Sequence, residues 1–181
     1  MTEQRPLVII GSARKESDTK FYVDLALKEI DHVQLNLLDY NISSYSYGKS
    51  YPVSDEFHKI TDNILNYPTI IFATPVYWYS MSGLMKTFFD RFTDLVTIKK
   101  EIGRKLKGRS AFLFSVGDDP SLPDGFETPF IGMSRYLNLN YNGKIYFVTR
   151  PPRNNEQKLE EIKLFGEQIE LSTKCYHEGW K

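Results

Sequence analysis

The sequence is poor in cysteine and has no excess of charge of either sign. Cys175 is its single cysteine in 181 residues, so the chain cannot form an internal disulfide, a redox-active thiol pair or a cysteine metal cluster. A reducing, cytoplasmic location is the simplest expectation. Lysine plus arginine and aspartate plus glutamate both total 23, which argues against a nucleic-acid-binding protein. The same balance argues mildly against an acidic electron carrier that docks by charge steering.

Long hydrophobic runs and metal-ligand spacings are also missing. No run approaches the roughly 20 apolar residues of a membrane helix. The N-terminal segment MTEQRPLVII has neither the basic start nor the long apolar middle of a signal peptide. We therefore expect no membrane and no nucleic-acid partner. The three histidines are too scattered to indicate a metal site. The length fits one domain over 1–181, and no repeat or linker divides it.

What the chain does contain is an alternation of strand-like and helix-like segments. Five apolar runs read as strands, in the order PLVIIG, VQLNLLDY, TIIFATP, SAFLFSVG and KIYFVTR. The YNG before the last run predicts a turn, and the apolar stripe from Leu84 to Val96 predicts one strong helix. Strands separated by helices predict an α/β fold, a three-layer, doubly wound, five-stranded parallel sheet. Ligands of such sheets bind where the carboxyl ends of the strands meet.

The loop after the first strand, GSARKESDT, predicts a phosphate site. A helix that begins after this loop would present free backbone N–H groups and a partial positive charge to an anion. Hydroxyl groups and one guanidinium could add donors, from Ser12, Arg14, Ser17 and Thr19. Asp18 has to point away from such an anion. The alternative is a solvated turn in which Ser17 only caps the helix.

The loop after the third strand, TPVYWYSMSG, places three aromatic residues in a row, from Tyr77 to Tyr79. Consecutive residues of an extended loop point in different directions, so three large rings cannot all enter one core. The exposed rings would suit stacking on a flat ligand. The alternative is an aromatic lid that packs on a neighbouring subunit.

Together, the two loops resemble the NADPH-dependent FMN reductase family of flavodoxin-like proteins. The first loop is similar to the family motif G-S-x-R-x-x-S-x-[NT], and TPVYWYSMSGLMKTFFDRF is similar to P-x-Y-x-x-S-x-S-G-x-[LM]-K-x-x-x-D-R. The resemblance implies the flavodoxin-like strand order 2-1-3-4-5. It also implies FMN as a non-covalent cofactor and NADPH or NADH as the hydride donor. The acceptor would be a small molecule: a quinone, an azo or nitro compound, or a flavin.

The resemblance also implies which residues contact the cofactor. The first loop would hold the FMN phosphate, and the ring would lie beside Pro75, Val76, Tyr77 and Trp78. The third strand-end loop, SVGDDPS, would approach the pyrimidine edge of the ring through Ser115, Val116 and Gly117. This loop departs from the family pattern, because it has one glycine and places Asp118 and Asp119 near the edge where a reduced flavin carries charge. No side chain is expected to act as a general acid or base.

Several alternatives remain open at this point. The main one is a non-enzymatic, flavodoxin-type electron carrier, and another is a flavin-free scaffold that keeps the fold. A homodimer is expected from the resemblance and from the width of the stripe between Leu84 and Val96. Asp90 and Arg91 would form a surface ion pair with a structural role. The tyrosine-rich segment 43–51 could rim the substrate pocket or belong to the ordinary surface.

Overall fold

The strands form at the short apolar runs, which are rich in β-branched and aromatic residues. The structure is a computed structural model and describes residues 4–149 and 155–178. The strands are β1 (Leu7–Ile10), β2 (Val33–Asn36), β3 (Thr69–Tyr77), β4 (Ser80–Met81), β5 (Ser110–Gly117) and β6 (Asn140–Val148). The sheet runs β2-β1-β3-β5-β6 with every neighbour parallel, and β4 returns antiparallel on the end of β3. The predicted order 2-1-3-4-5 is confirmed, since β4 only changes the numbering.

Helices cover both faces of this sheet. They are α1 (Asp18–Ala26), α2 (Phe57–Ile64), α3 (Gly83–Asp90), α4 (Phe92–Thr97), α5 (Lys100–Lys105), α6 (Thr128–Leu137) and α7 (Asn155–Glu178), with a 3₁₀ turn at Leu37–Asp39. On one face, α1 and α7 pack against side chains of β1, β5 and β6. On the other face, α2, α3, α4 and α6 enclose a second apolar cluster that is rich in phenylalanine. Alternate residues of each central strand enter opposite clusters, which is the pattern of a sheet buried on both faces.

Two local predictions were wrong in detail. The stripe from Leu84 to Val96 is divided between α3 and α4, and its residues pack into the core of this chain. Leu84, Phe89 and Val96 of the stripe stay partly exposed, so the homodimer stays a prediction. The YNG segment is part of β6, where the register with β5 shifts and Gly143 adopts a φ of 138°. A bulge replaces the expected turn. Arg150, at the end of the predicted fifth strand, lies outside the described residues.

A buried cluster of charged residues joins α2, α4 and the segment between β2 and α2. The Arg91 side chain is 3% exposed and donates two hydrogen bonds to the Asp55 carboxylate, of 2.7 and 3.1 Å. It donates a third to Asp94 at 2.9 Å and a fourth to the backbone carbonyl of Ser43 at 2.9 Å. The guanidinium carbon lies 3.5 Å from the centre of the Tyr51 ring, whose hydroxyl donates to Asp94. The cluster fastens the tyrosine-rich segment to the helices.

The predicted surface pair of Asp90 and Arg91 does not form. Asp90 instead accepts a hydrogen bond from Lys86 at 2.5 Å on the exposed side of α3, one helical turn away. Arg91 lies between α3 and α4 and faces inward. Adjacent residues of a helix point about 100° apart, so this separation of the two side chains follows from helical geometry.

Candidate functional site

The carboxyl ends of β1, β3 and β5 surround a cleft of about 610 Å³. It is lined by Ser12, Arg14, Ser17, Asp18, Thr19, Pro75, Val76, Tyr77, Trp78, Tyr79, Val116, Gly117, Asp118, Asp119 and Thr149. Every site residue expected from the sequence lines it except Ser115, which is fully buried within β5. The three strand-end loops therefore meet, as the topology of a parallel sheet requires.

A larger groove of about 1110 Å³ lies elsewhere, between α1 and α7 along β6. Its described lining is mainly apolar side chains and lysine and glutamate residues, and it includes none of the predicted site residues. We prefer the smaller cleft as the site, because backbone N–H groups, hydroxyls and aromatic rings converge there.

The first loop turns into α1 because Gly11 and Ser17 set its two ends. Gly11 extends the sheet by donating its N–H to Ala73 at 2.8 Å, and its α-carbon lies against Met85. Ser17 is the N-cap of α1, and its hydroxyl accepts a hydrogen bond from the N–H of Lys20 at 3.2 Å. The start of α1 therefore faces the cleft. Its remaining backbone donors and its dipole favour an anion there.

Thr19 carries the clearest sign that a ligand belongs in this loop. Its side chain is 1% exposed, and its Oγ1 has no hydrogen-bond partner within the described residues. A buried hydroxyl without a partner costs free energy, so native proteins seldom keep one unless a ligand or water completes it. Because Thr19 lines the cleft in the first turn of α1, a phosphate oxygen fits as its acceptor. Ser12, also 1% exposed, lines the same end of the cleft.

Arg14 and Asp18 form an exposed ion pair at the mouth of this loop. Arg14 Nη2 lies 3.2 Å from Asp18 Oδ2, and both side chains are more than half exposed. Asp18 also lines the cleft, and its carboxylate is turned towards Arg14, so the expectation that it points away from the anion stays a prediction. Arg14 offsets its charge. An exposed pair of this kind contributes under about 1 kcal/mol, so a doubly charged phosphate can compete for the guanidinium.

The second loop is a tight hairpin between β3 and β4 with the aromatic residues at its tip. Tyr77, Trp78 and Tyr79 are 46%, 93% and 68% exposed. The prediction that the three rings cannot all enter the core is thus confirmed. Val76 pairs with Met81, which fixes the hairpin to the sheet.

Ser82 ties the hairpin to the first loop. Its hydroxyl donates to the Gly11 carbonyl at 2.6 Å and accepts the N–H of Met85 at 3.0 Å, as the N-cap of α3. Its own N–H donates to Thr74 Oγ1 at 3.1 Å. The family motif includes Ser82, but a serine followed by a glycine in the sequence gives no signal for this bond across the sheet.

The third loop is held by residues at the end of β6. The Tyr146 hydroxyl donates to the backbone carbonyl of Asp119 at 2.8 Å, and Thr149 donates its hydroxyl to the Asp118 carboxylate. Burial, together with the carboxylates of Asp119 and Asp118, raises the pKa of Tyr146 to about 12, so this donor keeps its proton at neutral pH. A β-carbon on Gly117 would lie 2.8 Å from the Tyr146 hydroxyl, which explains the one glycine the loop retains.

Tyr146 and Thr149 were not expected from the sequence. Tyr146 lies in β6 and Thr149 follows that strand directly, far along the chain from the loop they support. Among residues 4–149 and 155–178, no group of three or more His, Cys, Asp or Glu side chains is placed to hold a metal ion. Within the same ranges, no helix has the length and apolar character needed to cross a membrane.

The sequence of residues 5–122 matches the family model described as NADPH-dependent FMN reductase. The chain belongs to this family. The matched span contains the first loop, the aromatic hairpin and the third loop. This family of FMN-dependent NAD(P)H oxidoreductases accounts for the resemblance of both motifs.

Individual relatives agree with this assignment. YwqN of Bacillus subtilis (strain 168), named provisionally as an NAD(P)H-dependent FMN-containing oxidoreductase, is 29% identical over 119 residues, which are 62% of this chain and 66% of that protein. The Trp repressor binding protein from Bacillus subtilis is 21% identical with a TM-score of 0.68, over 91% of this chain and 99% of that one. An NADPH-quinone reductase from P. pentosaceus is 16% identical with a TM-score of 0.64, over 90% of this chain and 97% of that one. The two structural matches support the flavodoxin-like fold.

Proposed function

We propose that the cleft binds FMN and that the protein uses NAD(P)H to reduce a small organic acceptor, a quinone, an azo or nitro compound, or a flavin. The observation that carries this proposal is the partnerless Thr19 hydroxyl at a helix N-terminus, in the same cleft as the aromatic hairpin. One end of the cleft thus fits a phosphate and the other fits a flat ring. The name of the quinone reductase with a similar fold is consistent with such an acceptor.

Different residues of the cleft would bind the phosphate and the ring of FMN. The α1 N-terminus with Ser12, Arg14, Ser17 and Thr19 would hold the phosphate. Pro75, Val76, Tyr77 and Trp78 would flank the ring on one side through their backbone, with Val116 and Gly117 on the other. FMN, when bound, supplies the hydride and electron transfer chemistry, while the protein positions and tunes it. Ser115 would act only by packing within β5, because it is buried.

The simplest test is purification and assay. The protein should be yellow with bound FMN, and NADPH or NADH should bleach it and support the reduction of menadione. A colourless protein that does not take up FMN would contradict the proposal. A yellow protein that neither nucleotide reduces would instead favour the electron carrier. Comparing the two nucleotides also measures the preference between NADPH and NADH.

A Thr19→Val variant should separate ligand binding from folding. Valine keeps the shape of threonine and removes the hydroxyl, so FMN affinity should fall about 10–100-fold if that hydroxyl donates to the phosphate. The apo protein should unfold at the same or a slightly higher temperature, because a buried polar atom without a partner is removed. Fluorescence titration with FMN and a thermal melt of the apo protein measure the two effects. Lower apo stability with unchanged affinity would exclude Thr19 as a ligand.

The acidic pair of the third loop should set the reduction potential. Both carboxylates lie at the cleft and oppose the negative charge that a reduced flavin gains. The Asp118→Asn/Asp119→Asn variant should therefore raise the midpoint potential of bound FMN by on the order of tens of millivolts. Spectroscopic titration against a reference dye measures the shift, with Asp124→Asn as a matched control that also removes a carboxylate. An unchanged potential would mean that the carboxylates do not influence the flavin.

Three further points stay predictions. They are the single domain over 1–181, the homodimer and the cytoplasmic location. Sedimentation of the purified protein would measure the oligomeric state.

A further inference from the structure

The aromatic hairpin has an unusual turn. Trp78 and Tyr79 are the two central residues between the paired residues Tyr77 and Ser80, and their φ angles are 47° and 63°. Positive φ at both central positions is the requirement of a type I′ turn, for which Asn-Gly is the favoured sequence. Bulky aromatic residues are strained in this region of backbone space. The two most exposed aromatic residues of the cleft, Trp78 and Tyr79, therefore occupy backbone conformations that disfavour large side chains.

Burial against the described residues does not compensate for this strain. Trp78 is 93% exposed and Tyr79 is 68% exposed, so neither side chain buries the area that usually stabilises an aromatic residue. The turn is nevertheless well fixed, since Val76 and Met81 pair below it and Ser82 anchors the following helix. Strain that persists at the rim of a binding cleft points to a role in function.

We infer that the Trp78–Tyr79 turn is a stacking platform for a planar aromatic electron acceptor, and that this contact is why the strained turn is kept. This inference rests on the proposed function. Both residues line the cleft, and their side chains are more exposed than those of Val76 and Tyr77, which line it too. Exposed indole and phenol rings on a turn with a fixed backbone offer flat π faces to an exchangeable flat substrate.

A second copy of the chain is the less suitable occupant. Two aromatic side chains can bury at most about 500 Å² between them, whereas a stable interface buries about 800 Å² on each partner. Most of the stripe that was expected to provide further dimer surface is instead packed in the core. A small ring ligand is of the size that two side chains can cover.

The test replaces the turn by its preferred sequence, in a Trp78→Asn/Tyr79→Gly variant. Relief of strain should raise the Tm of the apo protein by about 2–6 °C. For menadione, a planar quinone, kcat/KM should fall at least about tenfold, and this loss should be at least about fivefold larger than the loss with ferricyanide, an octahedral ion that cannot stack. Tyr136→Ser is the matched control, because Tyr136 is 72% exposed on α6 and does not line the cleft.

Several results would overturn the proposed stacking role of the turn. A Tm that is unchanged or lower, equal losses with the two acceptors, or a similar quinone defect in Tyr136→Ser would overturn the inference. So would a change in sedimentation that shows the turn to be a subunit contact. If the wild-type protein reduces neither acceptor with NADPH or NADH, the proposed function itself fails. An active wild type whose variant loses both acceptors equally refutes the stacking role alone.

Discussion

Replacing Arg91 with methionine should lower the free energy of unfolding by about 3–5 kcal/mol at pH 7. The substitution removes the guanidinium that pairs with both Asp55 and Asp94. Both carboxylates stay buried between α2 and α4. An uncompensated buried charge costs more than the original pair contributed, which is why the expected loss is large. Denaturant unfolding followed by circular dichroism measures it.

Asp90→Asn is the matched control, because it removes a charge from the position next to Arg91. Asp90 forms an ion pair with Lys86 on the surface of α3, and both side chains are about half exposed. Such a pair contributes under about 1 kcal/mol. Equal destabilisation by the two variants would contradict the buried cluster and would favour the surface pair that the sequence suggested.

The stability difference between wild type and Arg91→Met should also depend on pH. Burial alone raises the pKa of Asp55, but hydrogen bonds from Arg91 and from the backbone N–H groups of Ser43 and Phe57 outweigh it and hold the pKa below its ordinary value. In the wild type this stabilisation is present above the unfolded pKa of about 3.9 and is lost as the pH falls through the folded pKa. In the variant the hydrogen bonds from Arg91 are gone, so burial has the larger effect on Asp55 and favours its protonated form. Protonation of Asp55 as the pH falls therefore removes the unfavourable buried charge. The difference should therefore narrow from pH 7 towards pH 4. A difference that stays constant over this range would mean that lost packing, not charge, causes the effect.

The cluster also shows why part of the molecule could be predicted from sequence and part could not. The strands and two of the cleft loops are encoded locally, in apolar runs and in motifs of a few residues, and the strand order was implied by the family that these motifs resemble. Arg91 and Asp55 are 36 residues apart, so only the folded chain brings them together. The prediction that Arg91 pairs with Asp90, the acidic residue nearest to it in sequence, was therefore wrong.

The same distinction applies to the cleft. The first loop and the hairpin were predicted because the residues that form them are consecutive. The third loop is supported by Tyr146 in β6 and by Thr149 directly after it. The burial of Ser115 depends on β6 as well, because its hydroxyl is directed at the Ile145 carbonyl at 3.4 Å. Neither could be predicted from the loop sequence. The division of the stripe into α3 and α4 also follows from tertiary packing around Arg91, since no proline or glycine lies at the break.

Gly11→Val should destabilise the protein by about 3 kcal/mol and weaken FMN binding by about 100-fold. A β-carbon at this position would lie 2.9 Å from both Cβ and Cε of Met85, and 3.3 Å from Leu37. The Met85 methyl group could rotate away, but its β-carbon is fixed to the backbone of α3. The first loop or the helix must therefore shift. Because the Gly11 carbonyl also accepts the hydrogen bond from Ser82, the shift would separate the phosphate loop from the aromatic hairpin.

Gly132→Val provides the matched control for this argument. Gly132 lies within α6, and a β-carbon there would meet nothing within 4 Å. Valine has a somewhat better helix propensity than glycine, so the free energy of unfolding should change by under about 0.5 kcal/mol. Denaturant unfolding and FMN titration of both variants separate two explanations. If Gly11→Val loses stability but binds FMN normally, the glycine serves packing alone. If both properties fall together, the close contact of β1 with α3 is what aligns the phosphate end of the cleft with its ring-binding end.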